Sequence, residues 1–467
     1  GDFYLELMET GVDGQQTYNN LLLEFAEYFK IKPIVTNDIH YVKKSDAEVQ
    51  DLMLALQMGT NILDRNRTMV YGEYPSEIGK PAVLNAEYYM KTRKEIEAYA
   101  SYIPKECFDN TLEICAKLDG YDLGVNIGRY MPQIPKTLLP EEYNDDFEYL
   151  RSLAFEGLKR RNLAGDPRYT ERLAYELDVI GKLNFSSYFL ILSIIIEEAK
   201  KRDILVGPGR GSGSGSLVLY CLGVSGIDPI KYGLVFERFL NPDRIDLPDV
   251  DVDFEQRRRG EVVEIAQKIF GSERVAKLAT FNNMTTKLAI REAVRGFEPD
   301  KRKVDEMVNS LGELDDLEPK ETLEITSQRD EEHIQKAINI METTKTPRSN
   351  KSWLNFSMGL SGAPKAVSIH ASGVVISKDE FSGVVPTFKV NQESETALMA
   401  DMHTVSKLGF VKFDLLGLTT LDIIKLTIQF IRKNHNIVID PYSIPLDDVR
   451  TYNLFQSGNT CRIFQME

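Results

Sequence analysis

The chain has 467 residues, of which 42% are hydrophobic and 27% charged, with a net charge of −15. That length is too great for one hydrophobic core, so about two to four domains are expected, in a composition ordinary for a soluble globular protein. The acid excess does not exclude a phosphate-binding groove, because residues 201–300 carry as many basic as acidic side chains and the excess lies outside them.

The four cysteines, Cys107, Cys115, Cys221 and Cys461, form no CxxC pair. This suits a reducing compartment and gives no zinc signature. The longest apolar run, residues 188–196, is interrupted by Ser193 and is too short to span a bilayer, so no membrane is expected. No signal peptide is visible. The chain opens inside a strand-like stretch at Phe3 to Leu7 and stops at Glu467 without a turn signal, so both ends read as fragment boundaries.

In chain order, residues 1–120 alternate short strands and helices. Residues 19–29 predict an amphipathic helix, and 33–36 a short buried strand running into Asn37-Asp38-Ile39-His40. A strand ending in Asp and His is one way to present metal ligands at a sheet rim; a loop-capping histidine is the alternative. Residues 120–140, rich in loop residues and proline, mark a boundary. Residues 147–182 read as helical and charged, and 188–202 as a buried helix with a charged end.

Residues 206–216, VGPGRGSGSGS, then run into a helix over 217–222. A glycine-rich loop opening a helix offers bare N–H groups to an anion, with Arg210, Ser212 and Ser216 as further donors. It is neither a Walker A nor a GxGxxG sequence. Arg238 and Arg244 follow and could clamp a polyphosphate, although each alone is more often a surface ion pair.

Residues 243–254 read DRIDLPDVDVDF. Period-2 alternation predicts a strand with Asp249, Asp251 and Asp253 on one face and valines on the other. Such a row of like charges repels itself, and hard divalent cations relieve it; an exposed, aggregation-resisting edge is the other reading. From about residue 280 to 364 the chain reads as polar helix with a basic loop at 345–351, and 367–377 as strand-rich. His370 and His403 are lone histidines with a structural default. Residues 409–416 alternate again and put Lys412 and Asp414 on one strand face.

Two carboxylates on one strand, a third on a distant strand, a glycine–serine loop and nearby cations fit two-metal nucleotidyl transfer. The stretches GPGRGSGSGS (207–216), FERFLNPDR (236–244), PDVDVDF (248–254), HASGVVI (370–376) and FVKFDLLG (410–417) resemble, in order, the bacterial C-family replicative DNA polymerases. The resemblance covers essentially the whole chain. It implies an α/β multidomain fold: the C-terminal part of a PHP α/β domain over 1–120, and a polymerase-beta-like nucleotidyltransferase palm over 121–280 and 370–420. A helical thumb would occupy 281–369 and the start of the fingers 421–467.

It further implies a DNA-directed DNA polymerase that extends a primer 3′-hydroxyl with two Mg2+ ions held by Asp249, Asp251 and Asp414. Gly211, Ser212, Arg238, Arg244 and Lys412 fall on triphosphate-contacting positions, and Asp253 is a neighbour. Asp38 and His40 match one PHP metal-ligand segment, a partial site for a divalent metal. The implied partners are primer–template DNA, deoxynucleoside triphosphates, and a sliding clamp and other replisome subunits held through regions beyond Glu467. The implied location is cytoplasmic and nucleoid-associated. Asn282-Asn283 stand where the family pattern expects Gly-Thr, the upstream PHP ligand segments are absent, and no exonuclease interrupts the chain before the palm. A PHP-type phosphoesterase whose palm only binds nucleic acid is the competing function.

Overall fold

The computed structural model describes residues 3–62, 72–73, 83–84, 86–120, 131–241, 247–297, 300–310, 332–343, 352–389, 396–461 and 463–466. The basic stretch at 345–351 and Arg244 therefore lie outside the described residues. The chain forms two compact units, one of residues 1–122 with 282–366 and the other of 123–281 with 367–467.

In the first unit, strands β1 (Tyr4–Leu7) and β2 (Lys32–Val35) pair in parallel, and β3 (Gly72–Glu73) and β4 (Val83–Leu84) antiparallel. Helix α1 (Gln15–Phe29) joins β1 to β2, and α2 (Ala47–Gln57), α3 (Arg93–Tyr99) and α4 (Lys105–Leu118) follow. Asn110 Nδ2 donates to the Pro33 carbonyl at 2.9 Å, and the Val35 N–H donates to Thr111 Oγ1 at 3.0 Å, so α4 closes onto β2. The strand expected at 33–36 is present but only Val35 of it is buried. The helix expected over 19–29 is present too, and its packed side is Asn19, Leu22, Leu23 and Ala26. Leu21, Phe25, Tyr28 and Phe29 are exposed. That helix is apolar on two sides, and only one meets a core. Helices Thr286–Arg295 and Trp353–Leu360 share a second core with α2, through Leu52, Ala55, Ala289, Ala293, Phe356 and Leu360.

The second unit is a mixed α/β body. Its helices α5 (Asp146–Arg160), α6 (Pro167–Lys182), α7 (Ser186–Lys201), α8 (Leu217–Cys221) and α9 (Arg259–Phe270) surround one large core. The stretch 147–182 is thus two helices. Asn162, at φ +58°, ends the first, and the Asp166 side chain, which accepts the Arg168 N–H, opens the second with Pro167 at its first position. Helix α7 has almost no wet side over Tyr188–Leu192, which are at most 1% exposed. Burying such side chains contributes about 1.5–3 kcal/mol each. The contact of α5 with α8 is close enough that a Cβ on Gly157 would stand 2.0 Å from the Cys221 carbonyl oxygen. Among the described residues no single helix is long and apolar enough to cross a membrane.

The sheet of this unit has the order β5 (Asp251–Glu255), β10 (Lys412–Leu418), β7 (Pro364–Ile376), β6 (Val275–Asn283), β9 (Ala397–Leu398), β8 (Thr387–Phe388). β10 runs parallel to β5 and antiparallel to β7. β6 begins the stretch expected to be helical from about 280, and the helix starts only at Thr286, where the Thr285 side chain caps it.

Candidate active site

The acidic stretch keeps its alternation of faces, although β5 begins only at Asp251 and Asp249 and Val250 lie just ahead of it. Val250, Val252 and Phe254 are each no more than 4% exposed and enter the core. The carboxylates on the other face differ in depth: side-chain exposure falls from 61% at Asp249 to 39% at Asp251 and 7% at Asp253. β10 alternates in the same way, with Phe413 and Leu415 fully buried. Parallel pairing of β10 with β5 sets Asp414 beside Asp251 in register. Neighbouring strands lie about 4.8 Å apart, so two carboxylates separated by 163 positions in sequence become adjacent.

Lys412 holds this cluster together. Its Nζ lies 2.7 Å from Asp414 Oδ2 and 3.9 Å from Asp249 Oδ1. Burial works against the ammonium, but the hydrogen bond and charge of Asp414, with Asp249 and Asp251 behind it, raise the lysine pKa above its ordinary value. The Asp249 carboxyl is pushed up by lost hydration and by Asp414 and Asp251, while Lys412 pulls it back. Solvent at its exposed side screens that push. Asp414 Oδ1 is buried and has no hydrogen-bond partner among the described residues.

The glycine loop begins where it can reach this row. The Gly207 N–H donates to the Asp253 carbonyl at 2.8 Å, and Val206 bridges Phe254. Gly211 adopts φ +65°, a region that favours glycine, and a Cβ there would lie 3.6 Å from Asp251 Oδ2. Arg210 Nε stands 3.5 Å from Asp253 Oδ2 and 3.9 Å from Asp251 Oδ2 without hydrogen-bonding either. Burial pushes the Asp253 carboxyl up, and Arg210 opposes that. Ser212 is exposed at the start of a 3-10 turn, Ser212–Gly215.

One part of the loop reading is corrected. The N-terminus of α8 and Ser216 do not await an outside anion, because the chain supplies its own. Glu176 of α6, wholly buried, accepts from Ser216 Oγ at 2.9 Å and the Val218 N–H at 3.1 Å, and pairs with Arg172 Nε at 2.7 Å. Arg172 also donates to the Gly215 carbonyl. Burial raises the Glu176 pKa against the pull of the Leu217 and Val218 N–H groups and Arg172. A carboxylate in mid-helix, 40 positions before Ser216, leaves no signal in the spacing. Any anion at this loop is left with the segment from Gly209 to Ser212.

The other expected residues are dispersed. Arg238 is exposed in the 3-10 turn Phe236–Arg238 and has no ion-pair partner among the described residues. His370 Nδ1 accepts the Gly373 N–H at 2.8 Å, a local turn within β7, and His403 lies in helix Met402–Lys407. In the other unit His40 Nε2 lies 3.0 Å from Asp38 Oδ1, and both are partly exposed.

Among the described residues no three His, Cys, Asp or Glu side chains converge as a ready-made metal cage. At the acidic row the Lys412 ammonium lies between Asp249 and Asp414. The donor set itself suits a hard divalent cation: carboxylate oxygens of Asp249, Asp251 and Asp414, one of them buried and unpartnered.

Comparison with known proteins gives one answer along the chain. The family described as bacterial DNA polymerase III alpha NTPase domain matches residues 148–417, and that described as bacterial DNA polymerase III alpha subunit finger domain matches 420–467. DNA polymerase III subunit alpha of Aquifex aeolicus (strain VF5) is 35% identical over 487 residues, covering 100% of this chain and 40% of that protein. The subunit of Mycobacterium tuberculosis (strain CDC 1551 / Oshkosh) is 34% identical over 470 residues, with 100% and 38% covered. That of Thermus aquaticus is 30% identical over 524 residues, with 100% and 41% covered. The chain spans about two fifths of the length of these relatives. With the first of the two family matches covering more than half of its residues, this chain belongs to the bacterial DNA polymerase III alpha NTPase domain family.

Proposed function

We propose that this chain carries the nucleotidyl-transfer site of a replicative, DNA-directed DNA polymerase. The observation behind the proposal is the register of Asp414 against Asp251, which unites the two acidic strands. Residues 121–280 and 370–420 serve as the polymerase-beta-like palm, 281–369 as the thumb, 421–467 as the start of the fingers and 1–120 as part of a PHP domain. The substrates are primer–template DNA and deoxynucleoside triphosphates. Clamp and replisome contacts and a nucleoid-associated, cytoplasmic location belong to the same proposal.

Asp249, Asp251 and Asp414 are the residues to hold two divalent cations, Mg2+ by donor chemistry. Bound there, such ions acidify the primer 3′-hydroxyl and neutralise the triphosphate. Asp414 Oδ1, which lacks a partner, is the oxygen available to the primer end. Lys412 offsets part of the row's charge in the absence of substrate and offers its ammonium to the phosphates once nucleotide is present. Gly211 lets the loop backbone pass close to Asp251, with Ser212 beside it. Arg238, exposed and without an ion-pair partner among the described residues, and Arg244 meet the outer phosphates. The 3′-oxygen attacks the α-phosphorus, the bond to the bridging oxygen breaks, pyrophosphate leaves, and the hydroxyl proton passes to solvent.

The phosphoesterase reading has less support. Asp38 and His40 hold each other, and no third ligand joins them among the described residues. Primer extension and phosphate-ester hydrolysis, each assayed with Mg2+ and Mn2+, separate the two. Extension that Asp251→Asn abolishes is expected. Ester hydrolysis lost with His40→Ala, and no extension, would reverse the assignment.

A further inference from the structure

Tyr188 lies beneath the acidic cluster and belongs to neither of its strands. It sits in the first turns of α7, fully buried. Its hydroxyl oxygen accepts the Val250 N–H at 3.1 Å, and Val250 is the residue between Asp249 and Asp251. Its ring stacks on Phe413, with centroids 4.8 Å apart and planes 23° from parallel, and Phe413 is the residue between Lys412 and Asp414. One side chain from a helix therefore holds the Val250 N–H just ahead of β5 and the Phe413 ring within β10, each next to residues that carry the carboxylates.

We propose that Tyr188 is a positioning residue, which sets the separation of the Asp249–Asp251 pair from Asp414 by holding Val250 through its hydroxyl and Phe413 through its ring. The inference rests on the reading of these carboxylates as the divalent-cation ligands. Three things make the role one of geometry. Val250 stands one residue before the first residue of β5, at Asp251, so its N–H has the tyrosine as partner where a ladder bond is lacking. The ring is sandwiched in the core, with Phe189 edge-on at 6.1 Å, so the hydroxyl cannot swing away. Burial, with Asp249, Asp414 and Asp251 close by, drives the phenol pKa far above its ordinary value, so the hydroxyl stays neutral beneath the carboxylates. Reacting groups must be held to fractions of an ångström, and partners behind metal ligands govern metal affinity.

The test is Mn2+ binding to the 467-residue chain, followed by electron paramagnetic resonance of the free ion, alongside thermal unfolding. Tyr188→Phe keeps the stack and removes the acceptor for Val250. Phe413→Leu keeps an apolar side chain and removes the stack. Tyr169→Phe is the matched control: Tyr169 is also buried in this unit, and its hydroxyl donates to Asp228 Oδ2 at 2.7 Å, away from the acidic row. The expected result is a Mn2+ dissociation constant about tenfold weaker for Tyr188→Phe and Phe413→Leu, and unchanged for Tyr169→Phe at a similar loss of melting temperature. Tyr188→Phe binding Mn2+ like the unaltered chain overturns the inference while leaving the metal reading intact. So does equal weakening by Tyr169→Phe, since that is a stability effect alone. Absence of Mn2+ binding by the unaltered chain overturns the metal reading and the inference with it.

Discussion

Exposure falls along the acidic strand, and what each carboxylate can do changes with it. Asp249 and Asp251 reach solvent, whereas Asp253 is buried against Arg210. Asp253 therefore serves the glycine loop, through the Gly207 N–H on its carbonyl and Arg210 on its side chain. Asp253→Asn is expected to loosen the loop, raising the nucleotide KM several-fold while kcat stays within about tenfold. A loss of kcat by orders of magnitude in a single-turnover assay would put Asp253 among the metal ligands instead. Among the described residues Arg238 has no acid to pair with, so on the proposed reading Arg238→Ala removes only a phosphate contact. About 1.5 kcal/mol, or roughly tenfold in nucleotide KM with DNA affinity unchanged, is expected. A change in DNA affinity alone would move Arg238 to the template track.

Among the elements, helix α8 and its loop depend on Glu176. A carboxyl whose folded pKa is raised contributes stability below its unfolded value, and that contribution is lost as pH rises through the folded value. Glu176→Gln does not titrate. Its deficit relative to the unaltered chain should be larger at about pH 4.5 than at about pH 8. Urea unfolding at both values reads this. A deficit that grows with pH would show that Arg172 and the two N–H groups outweigh burial. Gly157→Ala tests the α5–α8 contact, because its methyl would have to displace the Cys221 carbonyl. A loss of about 1–3 kcal/mol is expected from denaturant titration, and no loss would mean the helices stand further apart.

These elements also show what the sequence made legible. Alternation of Asp with Val and of Lys412 and Asp414 with Phe413 and Leu415 was enough to find both strands and their faces, since period 2 follows from backbone geometry. The burial of α7 was legible for a similar reason, an apolar run long enough to have no wet side. Where the open part of the glycine loop ends was not, because the carboxyl that takes the helix N-terminus comes from another helix. Which apolar side of α1 meets the core was not legible either: an amphipathic pattern says that a face exists, and only tertiary packing says which one is used.

At the scale of the molecule, two segments distant in sequence build each unit, and the acidic row lies wholly within the second. Whole-chain charge says little about the region of this row, since residues 201–300 carry as many basic as acidic side chains. The central claim is that Asp414 completes a site begun by Asp249 and Asp251. Asp414→Asn preserves shape and removes one charge from a row that Lys412 must balance. Near-normal folding is expected, because the amide keeps the shape and its oxygen can still accept from Lys412 while like charge with Asp249 and Asp251 is relieved. Single-turnover nucleotide incorporation, measured for Asp414→Asn beside Asp253→Asn in a full-length polymerase carrying this segment, is the direct test. The account predicts that Asp414→Asn slows incorporation by orders of magnitude at near-normal DNA binding while Asp253→Asn stays mild. Near-normal incorporation by Asp414→Asn with Asp253→Asn inactive would contradict it, and would place the site on the three-aspartate strand alone.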